Sequence, residues 1–404
     1  MKKVAWLALL LPLWANAAPL WSGYVQEHLS HRTRSAPTCV QLRDACHFMA
    51  NEQRLQLLAE AALPADVNAT LRVDATNDVA THRSTVLVRE AYLDWTLSPV
   101  ASVRAGRQVI TWGVADYLFV NDIFPKNYDA FFSGKPFDHM KEAVDAIKFN
   151  GVVHGVELDL VLSRPQMDQA AAPARFNSMH MPPPVAVSPA TRHGVDSALR
   201  LGRKFGRWDT AAYLARYQSR DGGLFASAPL AMTWQSSTTR HAGASVTGPL
   251  GQGVVLGEVA YMKVDQRNNN FNRYHTGSQM KGLVGYAHEF GDDLSASLQY
   301  HIESSTDHHS YRASLAAGVI PADRHRQTVY LRVQKRMLHQ TLTIGTQAFA
   351  ALEGGNHLNP FASYAIADGL TLEGGANLFN GASQSRYGMM KHDSNVYSSL
   401  RFSF

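Results

Sequence analysis

Residues 394–404 read SNVYSSLRFSF, and they alternate. Val396, Leu400, Phe402 and Phe404 fall on one side of an extended chain, with Asn395, Tyr397, Ser399, Arg401 and Ser403 on the other. Period two predicts a strand with one apolar and one polar face. The pattern recurs upstream. In LTLEGGANLF, Leu370, Leu372, Ala376 and Leu378 oppose Thr371, Glu373 and Asn377, and in TVYLRVQKR, Val329, Leu331 and Val333 oppose Thr328, Tyr330, Arg332, Gln334 and Arg336. LSASLQYHIE sets Leu294, Ala296, Leu298, Tyr300 and Ile302 against Ser295, Ser297, Gln299, His301 and Glu303. NATLRVDAT sets Ala69, Leu71, Val73 and Ala75 against Thr70, Arg72, Asp74 and Thr76. VRAGRQV mixes its sides, and KGLVGYAHE leaves its faces undecided.

Connections between these segments alternate short and long. The short ones are PAD (64–66), SPVA (98–101), NGVVHG (150–155), FGRW (205–208), GPLGQG (248–253), EFGDD (289–293), KRMLHQ (335–340) and IADG (366–369). Longer polar loops lie at 114–142, 165–194, 220–237 and 305–323. This rhythm predicts an all-β fold, a transmembrane antiparallel β-barrel of about 18 strands, or 16 on a shifted register, with short periplasmic turns and long extracellular loops. A soluble sandwich would pack its apolar faces into a core. Here the opposite face carries charge in strand after strand, which suits a water-filled lumen.

The N-terminus agrees on compartment. Met1-Lys2-Lys3 is a positive head, Val4 to Trp14 an apolar run and Ala15-Asn16-Ala17 a small-residue cleavage site, so 1–17 is expected to be a secretory signal peptide. The run is shorter than the roughly 20 residues of a spanning helix. Residues 18–404 then form one barrel domain in the bacterial outer membrane. Cys39 and Cys46 are expected to form a disulfide there. The formal charge of +5 and pI near 9.1 come from positive residues scattered among acids, which does not indicate a nucleic-acid partner. No cofactor motif is present. The terminal Leu400, Phe402 and Phe404 resemble the signal by which the barrel assembly machinery recognises its clients. Other expected partners are outer-membrane lipids and lipopolysaccharide, and a small polar solute.

One strand behaves differently. RAGRQVITWGVADYLFVNDIFPKNYDAFF, residues 104–132, begins extended and then fills with Asp, Asn, Pro and aromatics. Gly113 is expected to end the strand. The loop from Val114 to Glu142 holds Tyr117, Phe119, Phe124, Tyr128, Phe131, Phe132 and Phe137, a large apolar area that gains by burial. The loop is therefore expected to fold into the barrel, where Asp116, Asp122, Lys126, Asp129 and Lys135 would narrow and charge the passage. A cap packed over the mouth, with no selective role, is the alternative.

The stretches REAYLDW, GRQVITWGVADYLFVNDIFPKNYDAFFSG and MKEAVDAIKF resemble a family of proteobacterial outer-membrane β-barrels of largely unassigned function. Those proteins carry a G-R-Q-x-x-x-W-G-x-x-D segment followed by an Asp and an x-Pro turn. The matching positions are Gly106, Arg107, Gln108, Trp112, Gly113, Asp116, Asp122 and Pro125. Phe124 stands before Pro125 where many relatives have Asn. The resemblance covers residues 85–150 and implies architecture more than substrate. Some relatives occur beside exporters of the resistance-nodulation-division type, which adds an envelope exporter to the candidate partners; porins of this size also form homo-oligomers.

Charges read as inward-facing are of both signs: Arg54, Arg72, Lys148, Arg200, Lys204, Arg326, Arg332, Arg336 and Arg401 against Glu60, Asp74, Glu90, Asp94, Glu157, Asp159, Glu303 and Glu373. A mixed lumen argues for a polar-solute channel or for cross-strand pairing. Arg326, Arg332 and Arg336 form the best anion-attracting track. Soft ligands gather at His139-Met140, Met179-His180-Met181, His308-His309 and Met389-Met390 with His392, a weak copper signal without fixed spacing. No GxSxG or other nucleophile motif points to an enzyme. The sequence thus predicts a porin-like channel constricted by 114–142. A plugged scaffold or exporter partner is the alternative, and a rim hydrolase a lesser one.

Overall fold

The computed structural model describes residues 18–34, 46–166, 168, 176, 186–188, 194–220, 223–228, 231–235, 237–265, 277–291, 293–315 and 321–404. The signal segment, Cys39 and Met179-His180-Met181 lie outside the described residues, as does the expected Cys39–Cys46 pairing. A single antiparallel sheet of 18 strands closes on itself. The strands are β1 (Leu20–Arg32), β2 (Phe48–Leu63), β3 (Val67–Asp78), β4 (Arg83–Ser98), β5 (Ala101–Val109), β6 (Ala143–Val153), β7 (Val156–Ser163), β8 (Asp196–Phe205) and β9 (Trp208–Gln218). They continue as β10 (Thr238–Leu250), β11 (Gly253–Asp265), β12 (Gln279–Phe290), β13 (Leu294–Ser305), β14 (His325–Met337), β15 (Leu342–Ala351), β16 (Asn356–Ala367), β17 (Leu370–Asn380) and β18 (Asn395–Ser403). Three short segments, Ala186–Ser188, Gly223–Ala228 and Ala231–Gln235, form a separate small sheet.

Consecutive strands pair, and β1 pairs β18 from Tyr24 opposite Ser403 to Arg32 opposite Asn395. Phe404 completes the seam, exchanging backbone hydrogen bonds of 3.0 Å with Gly23. The count is 18 and not 16. All short connections read from the sequence join strands at one end, where β1 also begins and β18 ends. Several are tighter than the sequence suggested. His154-Gly155, for example, turns β6 into β7 with both residues at positive φ, the geometry that matches strand twist in a two-residue hairpin.

The apolar face points outward. Val396, Leu400, Phe402 and Phe404 are about half exposed, while Asn395 and Ser399 on the same strand are buried inside. In KGLVGYAHE, Val284 and Tyr286 face out and Leu283 faces in. Trp21, Trp95, Phe205, Trp208, Phe290, Phe402 and Phe404 are exposed near the short-turn end, as in the aromatic girdle of an outer-membrane barrel.

Two departures from simple alternation matter for the lumen. The register of β3 against β4 shifts between Arg72 and Val73, leaving Arg89 as an extra residue beside Glu90. Such a bulge re-aims a side chain. Arg89 and Glu90 are consequently both buried, where strict alternation would set Arg89 against lipid. In addition, β5 ends at Val109, short of Gly113. The Val109 N–H is taken by Glu90 at 3.2 Å and the Gln108 amide reaches Ala146 O at 3.1 Å, after which Ile110 and Trp112 turn into a buried cluster. Gly106 sits at φ 130, and a Cβ there would stand 2.2 Å from Ala91 O, so β4 and β5 approach only with glycine.

If the outward face meets hydrocarbon, Val259→Arg at the middle of β11 should destabilise the barrel by about 2–4 kcal/mol in urea titrations from lipid vesicles. A cost within roughly 0.5 kcal/mol, ordinary for a water-facing site, would contradict the lipid-facing assignment.

Candidate functional site

The segment between β5 and β6, residues 110–142, meets the inner side of the wall. Its first anchor is Glu258, on β11. One carboxylate oxygen accepts the N–H groups of Val114 (2.6 Å) and Ala115 (3.0 Å); the other accepts the N–H (3.0 Å) and side-chain amide (2.8 Å) of Asn121. Gly113 lies at positive φ with its missing Cβ 2.9 Å from Glu258 Oε1. Glycine therefore lets the backbone close onto the carboxylate. Asn121 also donates to Ala244 O on β10 (3.1 Å), and its amide oxygen faces His241 Nε2 at 3.1 Å.

A second anchor holds the far end. Helix α1 (Tyr128–Phe132) starts at Asn127, whose side chain caps the Ala130 N–H, and a 3₁₀ turn spans Phe137–Met140. His139 from that turn is buried between Arg54, Arg89 and Tyr24. Arg89 donates to Nδ1 at 2.8 Å, which places the imidazole proton on Nε2, facing Tyr24 Oη at 2.9 Å. Burial, with Arg54 and Arg89 alongside, holds His139 well below its ordinary pKa. Lys135 pairs with Glu52 at 2.5 Å, and Arg54 pairs with Glu52 and Asp74. His28 meets Ser133 O at 3.0 Å, while Asn377 and Asn395 both donate to Phe132 O at 3.2 Å. Gly134 lies against Tyr397, where any Cβ would clash.

Between the anchors run the aromatics. Tyr117 contacts Phe131 (5.6 Å between centroids), Phe137 (4.6 Å), Tyr330 of β14 and Phe349 of β15, and accepts from Gln347 at 3.2 Å. Phe132 packs edge-on to Phe379 of β17. Two cavities flank this row. One of about 450 Å³ lies toward the long loops and includes Lys281, Glu303, Arg326, Arg386, Phe119 and Tyr128; one of about 290 Å³ includes Arg332, Gln347, Asn359, Glu373 and Tyr397. Tyr117, Phe131 and Met140 line both. In the larger cavity, Lys281, Arg326 and Arg386 converge on Glu303 at 3.2, 2.8 and 3.2 Å, three cations on one carboxylate.

The charged loop residues read from sequence are drawn into contacts. Asp122 pairs with Lys126 and Lys141, each at 3.1 Å, and all three lie beside the Phe119 ring or each other in a largely buried group. Asp129 is buried, Asp116 lies 3.5 Å from Gln299, and Lys135 is on Glu52. Wall charges mostly pair across neighbouring strands: Arg72 with Glu90 (3.2 Å), Arg104 with Asp94 (2.5 Å), Arg200 with Glu157 and Asp159, and Lys204 with Asp209 (3.5 Å). Arg326, Arg332 and Arg336 share the inner face of β14, where they meet Glu303, Gln334 (2.8 Å) and Asp293 (3.3 Å) respectively. Arg401 stacks 3.9 Å over the Tyr24 ring. Lys148 belongs to a third cavity with Trp112 and Arg200.

Of the motif positions, Gln108 and Trp112 are buried, and Pro125 O accepts the Glu142 N–H at 3.1 Å. Arg107 pairs with Asp145 on β6 at 3.3 Å. Phe124, the residue replacing Asn, packs edge-on against Trp112 at 5.1 Å. Met140 is buried, Met390 is buried in an apolar cluster, and His308 faces Ala322 O. Among the described residues no group of three or more His, Cys, Asp or Glu is placed to hold a metal ion.

Sequence reading missed Glu258, Arg89 and the apolar inner wall. Leu256, Ala260 and Leu283, and in a second cluster Val161, Ala198, Ala211, Tyr213 and Tyr217, are inward-facing and buried. The water-filled lumen expected from the charged strand faces is interrupted there, because the loop supplies an apolar partner. A signal for Glu258 does exist: it is the one acid between Leu256 and Ala260 on a face otherwise apolar.

Comparison with solved structures finds the same architecture. Pseudomonas aeruginosa OccK3 (OpdO) aligns with a TM-score of 0.58 at 9% identity over 96% of this chain and 95% of that one. P. aeruginosa OccD3 (OpdP) gives 0.57 at 11% identity over 97% and 92%, and OccK2 (OpdF), solved in complex with glucuronate, gives 0.54 at 10% over 96% and 97%. No protein-family model matches the chain, and no curated protein does. The fold is that of porin-like barrels of the bacterial outer membrane.

Two outcomes test the anchors. Glu258→Ala leaves three backbone N–H groups without their acceptor and should weaken loop attachment by about 3 kcal/mol or more, read as faster hydrogen exchange across 114–121 with the strands unchanged. His139 is neutral when docked, whereas a released histidine ionises near pH 6.5. Docking is therefore strongest above that pH and weakens as pH falls below it, by up to about 2 kcal/mol at pH 5. Exchange across 133–141 should rise between pH 7.5 and pH 5, and His139→Asn should flatten that rise.

Proposed function

We propose that this chain is an outer-membrane channel for small polar solutes, favouring anions, with residues 110–142 as its constriction. The observation that carries the reading is the pair of lumenal cavities meeting at Tyr117, Phe131 and Met140. A solute entering from the long-loop side reaches the chamber where Lys281, Arg326 and Arg386 outnumber Glu303. Further along β14 it meets Arg332 in the second chamber. The surplus of fixed positive charge favours anions, and the low dielectric of the surrounding apolar clusters strengthens it. An apolar narrowing between two wet chambers is one of the ways channels gate, by dewetting.

In this reading Asp122, Lys126, Asp129 and Lys135 act mainly by holding the loop, and selectivity lies with the wall cations. The same apolar narrowing favours a second reading, a plugged barrel that serves as a scaffold or as the partner of an envelope export system.

Planar-bilayer recording separates the two. Wild-type protein should give discrete openings, Tyr117→Ala combined with Phe131→Ala larger ones, and deletion of 117–137 the largest. Replacing Lys281, Arg326 and Arg386 by Gln should move the reversal potential in a salt gradient toward cation preference. Silent membranes with both the folded wild type and the Tyr117/Phe131 variant would reject the channel in favour of the scaffold.

A further inference from the structure

On the outer wall the register brings three cations into one row. Arg216 of β9 stands opposite Arg240 of β10, and Arg240 opposite Lys263 of β11. All three side chains are exposed, since their neighbours Ala215, His241 and Met262 take the inward positions. Arg240 has one acidic neighbour, Asp265, at 3.2 Å; among the described residues Arg216 and Lys263 have none. The row therefore carries a net charge of about +2. Cations facing outward are costly within hydrocarbon and cheap at its edge.

Height on the barrel locates that edge. Arg216 lies eight residues along β9 from Trp208 of the short-end girdle, which at about 3.3 Å per residue and a tilt of about 40° is roughly 20 Å. The apolar band of such barrels is about 25 Å tall. The row thus stands near the upper boundary, on the long-loop side, where the outer leaflet presents its head groups. Directly beneath it runs an open groove of about 510 Å³ whose floor and sides include Leu160, Leu199, Leu214 and Tyr261.

We infer that this face is a binding site for a phosphorylated glycolipid of the outer leaflet, with Arg216, Arg240 and Lys263 on its phosphate and the leucine groove against an acyl chain. A phosphate accepts several charge-assisted hydrogen bonds at once, and guanidinium groups match its geometry. The apolar groove below and the cations above have the polarity order of a lipid standing in the leaflet. A second copy of this chain fits less well, because a two-fold contact through this row would set cations against cations. The site does not depend on what the lumen passes.

The test uses the full mature barrel in neutral detergent, titrated by native mass spectrometry with bisphosphorylated lipid A and with its dephosphorylated form. Wild type should retain the phosphorylated lipid roughly tenfold better, and the triple variant R216Q/R240Q/K263Q should lose that preference. Equal retention of the two lipids by wild type, or an unchanged preference in the folded triple variant, overturns the proposal. A triple variant that changes oligomeric state while keeping its phosphate preference also overturns it and assigns the face to a second copy. If the triple variant fails to give a heat-modifiable barrel, R216Q and K263Q singly carry the same comparison, each with a smaller loss.

Discussion

A backbone amide in hydrocarbon has no water to bond, so each strand of this chain needs a neighbour on both sides. That requirement is met only because β1 and β18, separated by nearly the whole sequence, pair with each other. Closure makes the wall a cylinder and divides side chains into two solvents by parity alone. The outward set is apolar because it meets lipid. The inward set is free to be charged, and that freedom supplies both the ion pairs of the wall and the cavities of the lumen. Every local feature of interest depends on this division, including the bulge at Arg89 that locally reverses it.

An 18-stranded cylinder encloses more space than its own side chains fill. Residues 110–142 occupy part of it, and their attachment follows from what a buried loop must satisfy. Irregular backbone carries N–H groups that no strand neighbour accepts. Glu258 accepts them, four donors on one carboxylate, and the donors in turn offset the desolvation of the charge. At the far end His139 works as an acceptor for Arg89, which is possible only while the ring is neutral. Glycines at 113 and 134 let the backbone reach Glu258 and Tyr397 without a Cβ between. The aromatic side chains that looked out of place after a strand are the apolar surface of this insert, packed on Tyr330, Phe349 and Phe379.

Architecture was legible in the sequence because it is written in short-range signals. SNVYSSLRFSF gives its faces by parity, and a turn such as NGVVHG announces itself by residue type. The bulge at Arg89 was not legible, since one extra residue in β4 leaves the count of apolar positions almost unchanged. Glu258 was not singled out because its meaning comes from residues more than a hundred positions away. The apolar inner wall was missed for a related reason: a polar lumen was read from the strands that alternate cleanly, yet Leu256 and Tyr213, on other strands, face a loop and not water. The charged residues of the loop were found by type, but whether Asp122 faces a passage or a lysine depends on packing that sequence spacing does not encode.

Pairing decides which of the many charges leave a net field in the lumen. Arg72 with Glu90, Arg104 with Asp94 and Arg200 with Asp159 largely cancel at a distance, so they stiffen the wall and contribute little field along the axis. Where three cations share one acid, cancellation is incomplete. The formal charge of +5 over the whole chain is therefore a poor guide to the field inside the barrel. In the channel proposed above, the surplus around Glu303 belongs to the chamber that shares Tyr117, Phe131 and Met140 with the second one. There a cation pool ahead of an apolar step would lower the cost of bringing an anion to it without adding a charge inside the step. In that proposal, such an arrangement would concentrate one sign of solute while leaving the barrier itself to size and hydration.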